Sequence, residues 1–162
     1  MHDVFAATFP AVRGPWAIVL RNADIAKTTF DMYERLCPGT KLGQDRLELM
    51  ILTVARRYTT PYIWFIHERL AREYGIEQPV IDAIRQRTAP PFANDGDRLV
   101  AEVTAALLES WNLDDATYAR ALDALGEERL VELVTSVGFY AMLALQLNTF
   151  AAAVPAGVAP LV

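Results

Sequence analysis

A chain of 162 residues, 53% apolar and 22% charged, can bury one full hydrophobic core, and it is read as a single domain over residues 1–162. Its net charge of −5, with Lys and Arg scattered mostly singly, argues against a nucleic-acid partner and against a helix lying on a membrane surface. The single cysteine, Cys37, excludes an intrachain disulfide and a dithiol redox pair.

No strand-type alternation persists and no Gly-rich phosphate loop occurs, so an all-α bundle of about seven helices is expected. The first helix is expected from about Trp16 to Leu36, stopped by Pro38-Gly39. Its end carries Cys37, expected as a buried, inert thiol. The second runs from about Gln44 to Tyr58, with Leu47, Met50, Ile51, Val54 and Tyr58 on one face. The third opens on Thr60 as N-cap, takes Pro61 at its first position and closes at Gly75. A short fourth starts at Pro79 and ends near Arg87, before Pro90-Pro91. Asn94 or Asp95 opens a fifth that reaches Trp111. A sixth spans about Asp114 to Leu125 and ends at Gly126. The last, long and apolar, starts near Glu127. The short loops suit antiparallel neighbours. The tail from Pro155, with Gly157 and Pro160, is expected to be irregular and to lie across a neighbour.

The stretch from Leu130 to Val154 is interrupted by Glu132, Thr135, Ser136, Gln146, Asn148 and Thr149. Its unbroken apolar core falls short of the ~20 residues a membrane span needs. A helix greasy on most faces is central in its domain or buried between subunits, so a homo-oligomer is expected. Asn148 is read as a helix–helix hydrogen bond. The N-terminus shows no basic segment followed by an apolar run; no signal peptide and a cytoplasmic location are expected.

Two polar residues stand where apolar ones belong. His67 shares a face of the third helix with Ile63, Leu70, Ala71 and Tyr74, away from Glu68, Arg69, Arg72 and Glu73. It is either an acid–base group or a core histidine with one satisfied hydrogen bond. Glu48 is flanked on the second helix by Ile51, Leu52 and Ala55, away from Arg46, Thr53, Arg56 and Arg57. It pairs either with His67 or with an arginine such as Arg57 or Arg69. An antiparallel hairpin leaves the two roughly 7 Å apart in height, at ~1.5 Å per residue, which two side chains can largely bridge. One inward His and one Glu are too few ligands for a metal site. His2 is given no role.

The segments Arg46-Leu47-Glu48-Leu49-Met50-Ile51-Leu52 and Tyr62-Ile63-Trp64-Phe65-Ile66-His67, then Ala71 and Gly75, resemble the carboxymuconolactone decarboxylase family, within the superfamily of the alkyl hydroperoxidase D peroxidases. Val137-Gly138-Phe139-Tyr140-Ala141-Met142 with Leu147-Asn148-Thr149-Phe150 resembles that family's last helix, and Gly14-Pro15-Trp16 with Leu20 its N-terminal entry. The resemblance covers most of the chain. It implies an alkyl hydroperoxidase D-like helical fold, a homo-oligomer (dimer, trimer or hexamer) and a site at Glu48 and His67.

The peroxidase branch adds two cysteines, whose positions fall here on Thr60 and Ile63. Neither can be a redox sulfur, so peroxidase activity is not expected, and Cys37 fits neither cysteine position. Ile63 also stands where the decarboxylase branch often has a second Glu, which puts decarboxylation of the ring-opened lactone itself in doubt. The expected chemistry is therefore cofactor-independent acid–base catalysis, decarboxylation or proton transfer, on a small organic acid or lactone. His67 would move the proton; Glu48 would orient the imidazole and select its tautomer. Tyr62, Trp64 and Tyr140 are candidates for the pocket wall, or else plain core aromatics. The alternative is a non-catalytic protein of the same fold that binds a ligand or a partner. In that case His67 would bond a backbone carbonyl and no cavity would open beside it.

Overall fold

In the computed structural model, which describes residues 14–157, 160 and 161, the helix that carries Glu48 is the one at the centre. The described residues form α1 (Pro15–Val19), α2 (Ala23–Leu36), α3 (Gln44–Arg57), α4 (Pro61–Glu73), α5 (Gln78–Gln86), α6 (Asp95–Ser110) and α7 (Asp115–Thr149), with no strand among them. His2 lies outside the described residues.

α3 packs against α4, α5, α6 and α7. Its residues Leu49, Leu52 and Ala55 are buried as well as the expected face of Leu47, Met50, Ile51 and Val54. A helix enclosed on nearly every side needs this near-continuous apolar run. Each of the Leu, Met, Ile and Val side chains contributes about 1.5–3 kcal/mol of burial free energy. The centre of the bundle is thus α3, while α7 keeps an outward face at Val131, Val134 and Leu145. By mean hydropathy, 1.6 over 18 residues, α7 is apolar enough to cross a membrane, and half of that window is buried in the fold.

The count of seven conceals two offsetting differences from expectation. The expected first helix is two, because the side chain of Asn22 caps a new start, accepting from the Ile25 amide at 3.2 Å. α1 then folds back so that Trp16 meets Phe30 and Tyr33 edge-on, with ring centroids 5.9 and 5.2 Å apart. Conversely, the expected sixth and last helices follow each other with no loop between them in one 35-residue run, the helix breaking at Gly126 (φ 74, ψ 164) where the boundary is expected. Glycine alone adopts that conformation readily. Beyond α7 the chain is irregular, and Leu161 is buried in the chain's own core.

The reversal between α3 and α4 sets the site. Thr59 takes a left-handed φ of 48°, and the Thr60 amide donates back to the Ala55 carbonyl at 2.9 Å. Thr60 occupies the N-cap position, yet its side chain makes no capping bond. The tight reversal carries Thr60 into the core, fully buried, with its hydroxyl unpartnered among the described residues. Exchange of a buried, unpaired hydroxyl for a methyl removes a desolvation cost. Thr60→Val is therefore expected to raise stability by about 1 kcal/mol; urea unfolding of the two proteins checks this, and a lower midpoint would contradict it.

Candidate active site

Glu48 sits one turn into α3 and is 3% exposed. Nothing apolar around it can satisfy a carboxylate, so the partner must come from the neighbouring helix. His67, in the middle of α4, supplies it: Nδ1 lies 2.7 Å from Glu48 Oε2, and the imidazole side chain is 15% exposed. Neither arginine alternative holds. Arg69 pairs with Glu73, and Arg57 lines a different cavity. An ionised carboxylate only accepts, so Nδ1 carries the proton and donates. That leaves Nε2 without a hydrogen bond to any described residue. A second-nitrogen bond of this kind fixes both the tautomer and the plane of the ring.

A cavity of about 570 Å³ opens beside the pair, and Glu48 and His67 both line it. α4 contributes Tyr62, Ile63, Ile66, Leu70 and the C-cap Tyr74. Tyr140 and Leu143 come from α7, Trp16 from α1, and Tyr33 with Cys37 from the end of α2. The wall is thus mostly apolar, with few polar groups, as small-molecule sites commonly are. Next to this wall, Gly14, at φ 59, lies so close to Tyr62 that an added Cβ would stand 2.2 Å from the ring.

Two of the three expected wall aromatics are present. Tyr62 lines the cavity, and Tyr140 stands edge-on to His67 with ring centroids 5.4 Å apart. Trp64 does not line it. Its Nε1 donates to Glu68 at 3.1 Å, and the Arg85 guanidinium lies 4.9 Å above its ring. Three residues before His67 on α4, its side chain faces α5 instead, where Glu68 also ties Arg72 and Arg85. Asn148 bonds a backbone rather than a side chain, donating from Nδ2 to the Tyr58 carbonyl at 2.9 Å, which pins α7 to the end of α3.

Sequence reasoning missed Tyr33 as a wall residue and Cys37 as a lining group. Their spacing of four on one helix turn, facing the interior, was the available signal. Cys37 Sγ and Tyr140 Oη are 3.3 Å apart, and either can donate. Burial pushes the Cys37 thiol up to about 11; the Tyr140 hydrogen bond opposes this, and the nearby carboxylate of Glu48 adds to it. Burial, with Cys37 beside it, likewise raises Tyr140 well above the usual phenol range. Both groups stay neutral at physiological pH.

A thiol raised from 9.0 to about 11 has roughly 100-fold less thiolate at a given pH below 9. Alkylation of native protein at pH 8 is expected to run about 100-fold slower than of the urea-unfolded chain. Equal rates would contradict the buried setting. The folded value lies above the unfolded one, so the neutral thiol's contribution to stability is complete below pH 9 and lost as pH climbs toward 11. Cys37→Ala is expected to flatten the fall of stability across that window.

Among the described residues, no group of three or more His, Cys, Asp or Glu side chains gathers closely enough to hold a metal ion. Comparison of the chain with protein-family models, with curated proteins and with solved structures finds no match in any of the three.

Proposed function

We propose that the protein is a carboxymuconolactone decarboxylase-like enzyme that performs cofactor-independent acid–base chemistry on a small organic acid or lactone. The observation that carries this is the 2.7 Å contact between a buried carboxylate and an imidazole that lines a cavity of about 570 Å³. A core histidine would bond a backbone carbonyl and have no cavity beside it; His67 differs in both respects.

The reaction that suits one proton-carrying group is loss of CO₂ from a β-keto-type acid. The bond between the α-carbon and the carboxylate breaks, and its electron pair stays on the α-carbon as an enolate. Nε2–H of His67 gives that carbon a proton, and water restores the proton to the ring. Glu48 stays a carboxylate throughout, holding Nδ1–H and favouring the positive ring that precedes transfer. The apolar wall excludes water from the enolate. Ile63, in contact with the cavity, supplies no second carboxylate, so the imidazole serves as the acid.

Electron transfer is disfavoured by the same residues. Thr60 and Ile63 occupy the two positions of the peroxidase cysteines, and Cys37 is held as a neutral thiol. The outward Val131, Val134 and Leu145 of α7, with Gly138 open between them, support a homo-oligomer through that helix. The test is turnover of a panel of β-keto acids and carboxylactones by wild type, H67Q and E48Q, each shown to be folded. Wild type should release CO₂ or open the lactone, H67Q should lose at least about 100-fold, and E48Q should fall between. Equal turnover by all three would refute the assigned roles.

A further inference from the structure

We propose that a second cavity, where Arg56 and Arg57 of α3 meet Arg87 at the end of α5, binds a small multivalent oxyanion. This cavity has a volume of about 650 Å³ and, among the described residues, shares no lining residue with the Glu48–His67 cavity. Its cations come from two places in the chain, so no basic run announces it in the sequence.

The convergence is built rather than incidental. Arg56 is buried; its Nε donates to the Arg85 carbonyl at 2.6 Å and its Nη1 to the Thr59 hydroxyl at 3.3 Å. Arg87 Nη2 donates to that same hydroxyl at 3.1 Å. Thr59 and Arg87 both hold left-handed backbone, φ 48 and 58, which L residues adopt only at a cost. Two strained positions and one shared hydroxyl therefore bring two like charges together.

Counter-charge is scarce at Arg57 and Arg87. Arg85, nearby, shares the Glu68 carboxylate with Arg72, at 2.8 and 2.7 Å. Among the described residues no carboxylate makes an ion pair with Arg57 or Arg87. Among the described residues, three guanidinium groups and one carboxylate, Glu109, line the cavity. Burial, then the charges of Arg87 and Arg85, loosen the proton on Arg56 relative to an exposed arginine. An anion between these groups relieves that repulsion. Apolar Ile84, Ala101, Ala105 and Leu108 also line the cavity, and an ionic contact made beside apolar surface is strengthened.

Guanidinium forks match the planar or tetrahedral oxygens of carboxylate and phosphate, and three of them favour a ligand with more than one negative charge. A phosphate ester and a polycarboxylate share this chemistry. Pyrophosphate and citrate serve as the two probes, titrated calorimetrically into the full chain at low and at physiological salt. At least one should bind with one site per chain, more weakly at higher salt. R57Q and R87Q, both at exposed positions, should each weaken it on the order of 10-fold, and E109Q should tighten it. The tighter-binding probe identifies the source as phosphate or carboxylate. The proposal is overturned if neither probe binds at millimolar concentration, or if binding is unchanged in R57Q, R87Q and E109Q alike.

Discussion

Replacing His67 by alanine is expected to cost about 3 kcal/mol of folding stability as well as any turnover. The cost comes from Glu48. With the imidazole gone, a carboxylate that is 3% exposed loses its hydrogen-bond donor at 2.7 Å. Removing one partner of a buried charged pair leaves the full desolvation penalty uncompensated. H67Q separates this from chemistry. Its amide can still donate to Glu48 and should recover part of the stability, but it cannot carry a proton on and off. Equilibrium urea unfolding of H67A, H67Q and wild type reads the first effect, and the turnover panel reads the second. A histidine that merely fills space would show the same loss in both variants.

The second large effect is expected in α3 itself. Leu52 is wholly buried and lies one turn beyond Glu48, on a helix enclosed by four others. Truncation to alanine removes burial free energy and leaves a cavity that so confined a site cannot collapse to fill, for a loss of about 3 kcal/mol. The same change on the outward face of α7, Leu145→Ala, should cost well under 1 kcal/mol in the monomer. Thermal unfolding of the pair of variants ranks them. If both cost the same, α3 is not the centre of the fold.

Much of the fold was legible because its punctuation is local. Pro61, Gly75, Asn94 and Gly126 mark helix boundaries by their own backbone preferences, and those boundaries stand in the structure. The break at Asn22 was missed because an Asn cap inside an otherwise periodic run is weaker than a proline. Thr60 shows the opposite error: the right residue in the right place does not cap when a tight reversal turns its side chain inward.

The site divides the same way. Glu48 and His67 were visible as polar residues on apolar faces, since helical periodicity alone places them inward. Trp64 could not be told from Tyr62 by counting, because which side of α4 meets α5 is a matter of tertiary packing. The arginine cavity was invisible for a related reason. Arg56 and Arg57 are 30 or more residues from Arg87, and only the path of the backbone brings them together.

The account turns on one ring: His67, held through Nδ1 by Glu48 in the wall of the cavity. The chain has two histidines, so a ¹H–¹⁵N spectrum of the imidazoles assigns simply, with H67Q identifying the signals of His67. A strongly downfield, slowly exchanging Nδ1–H is expected for His67, together with an Nε2 that shifts when a β-keto acid analogue is added. The Nδ1–H signal should vanish or move sharply in E48Q. An Nε2–H tautomer, or a ring spectrum indifferent to both E48Q and the analogue, would contradict the assignment of this pair as a proton-transfer site.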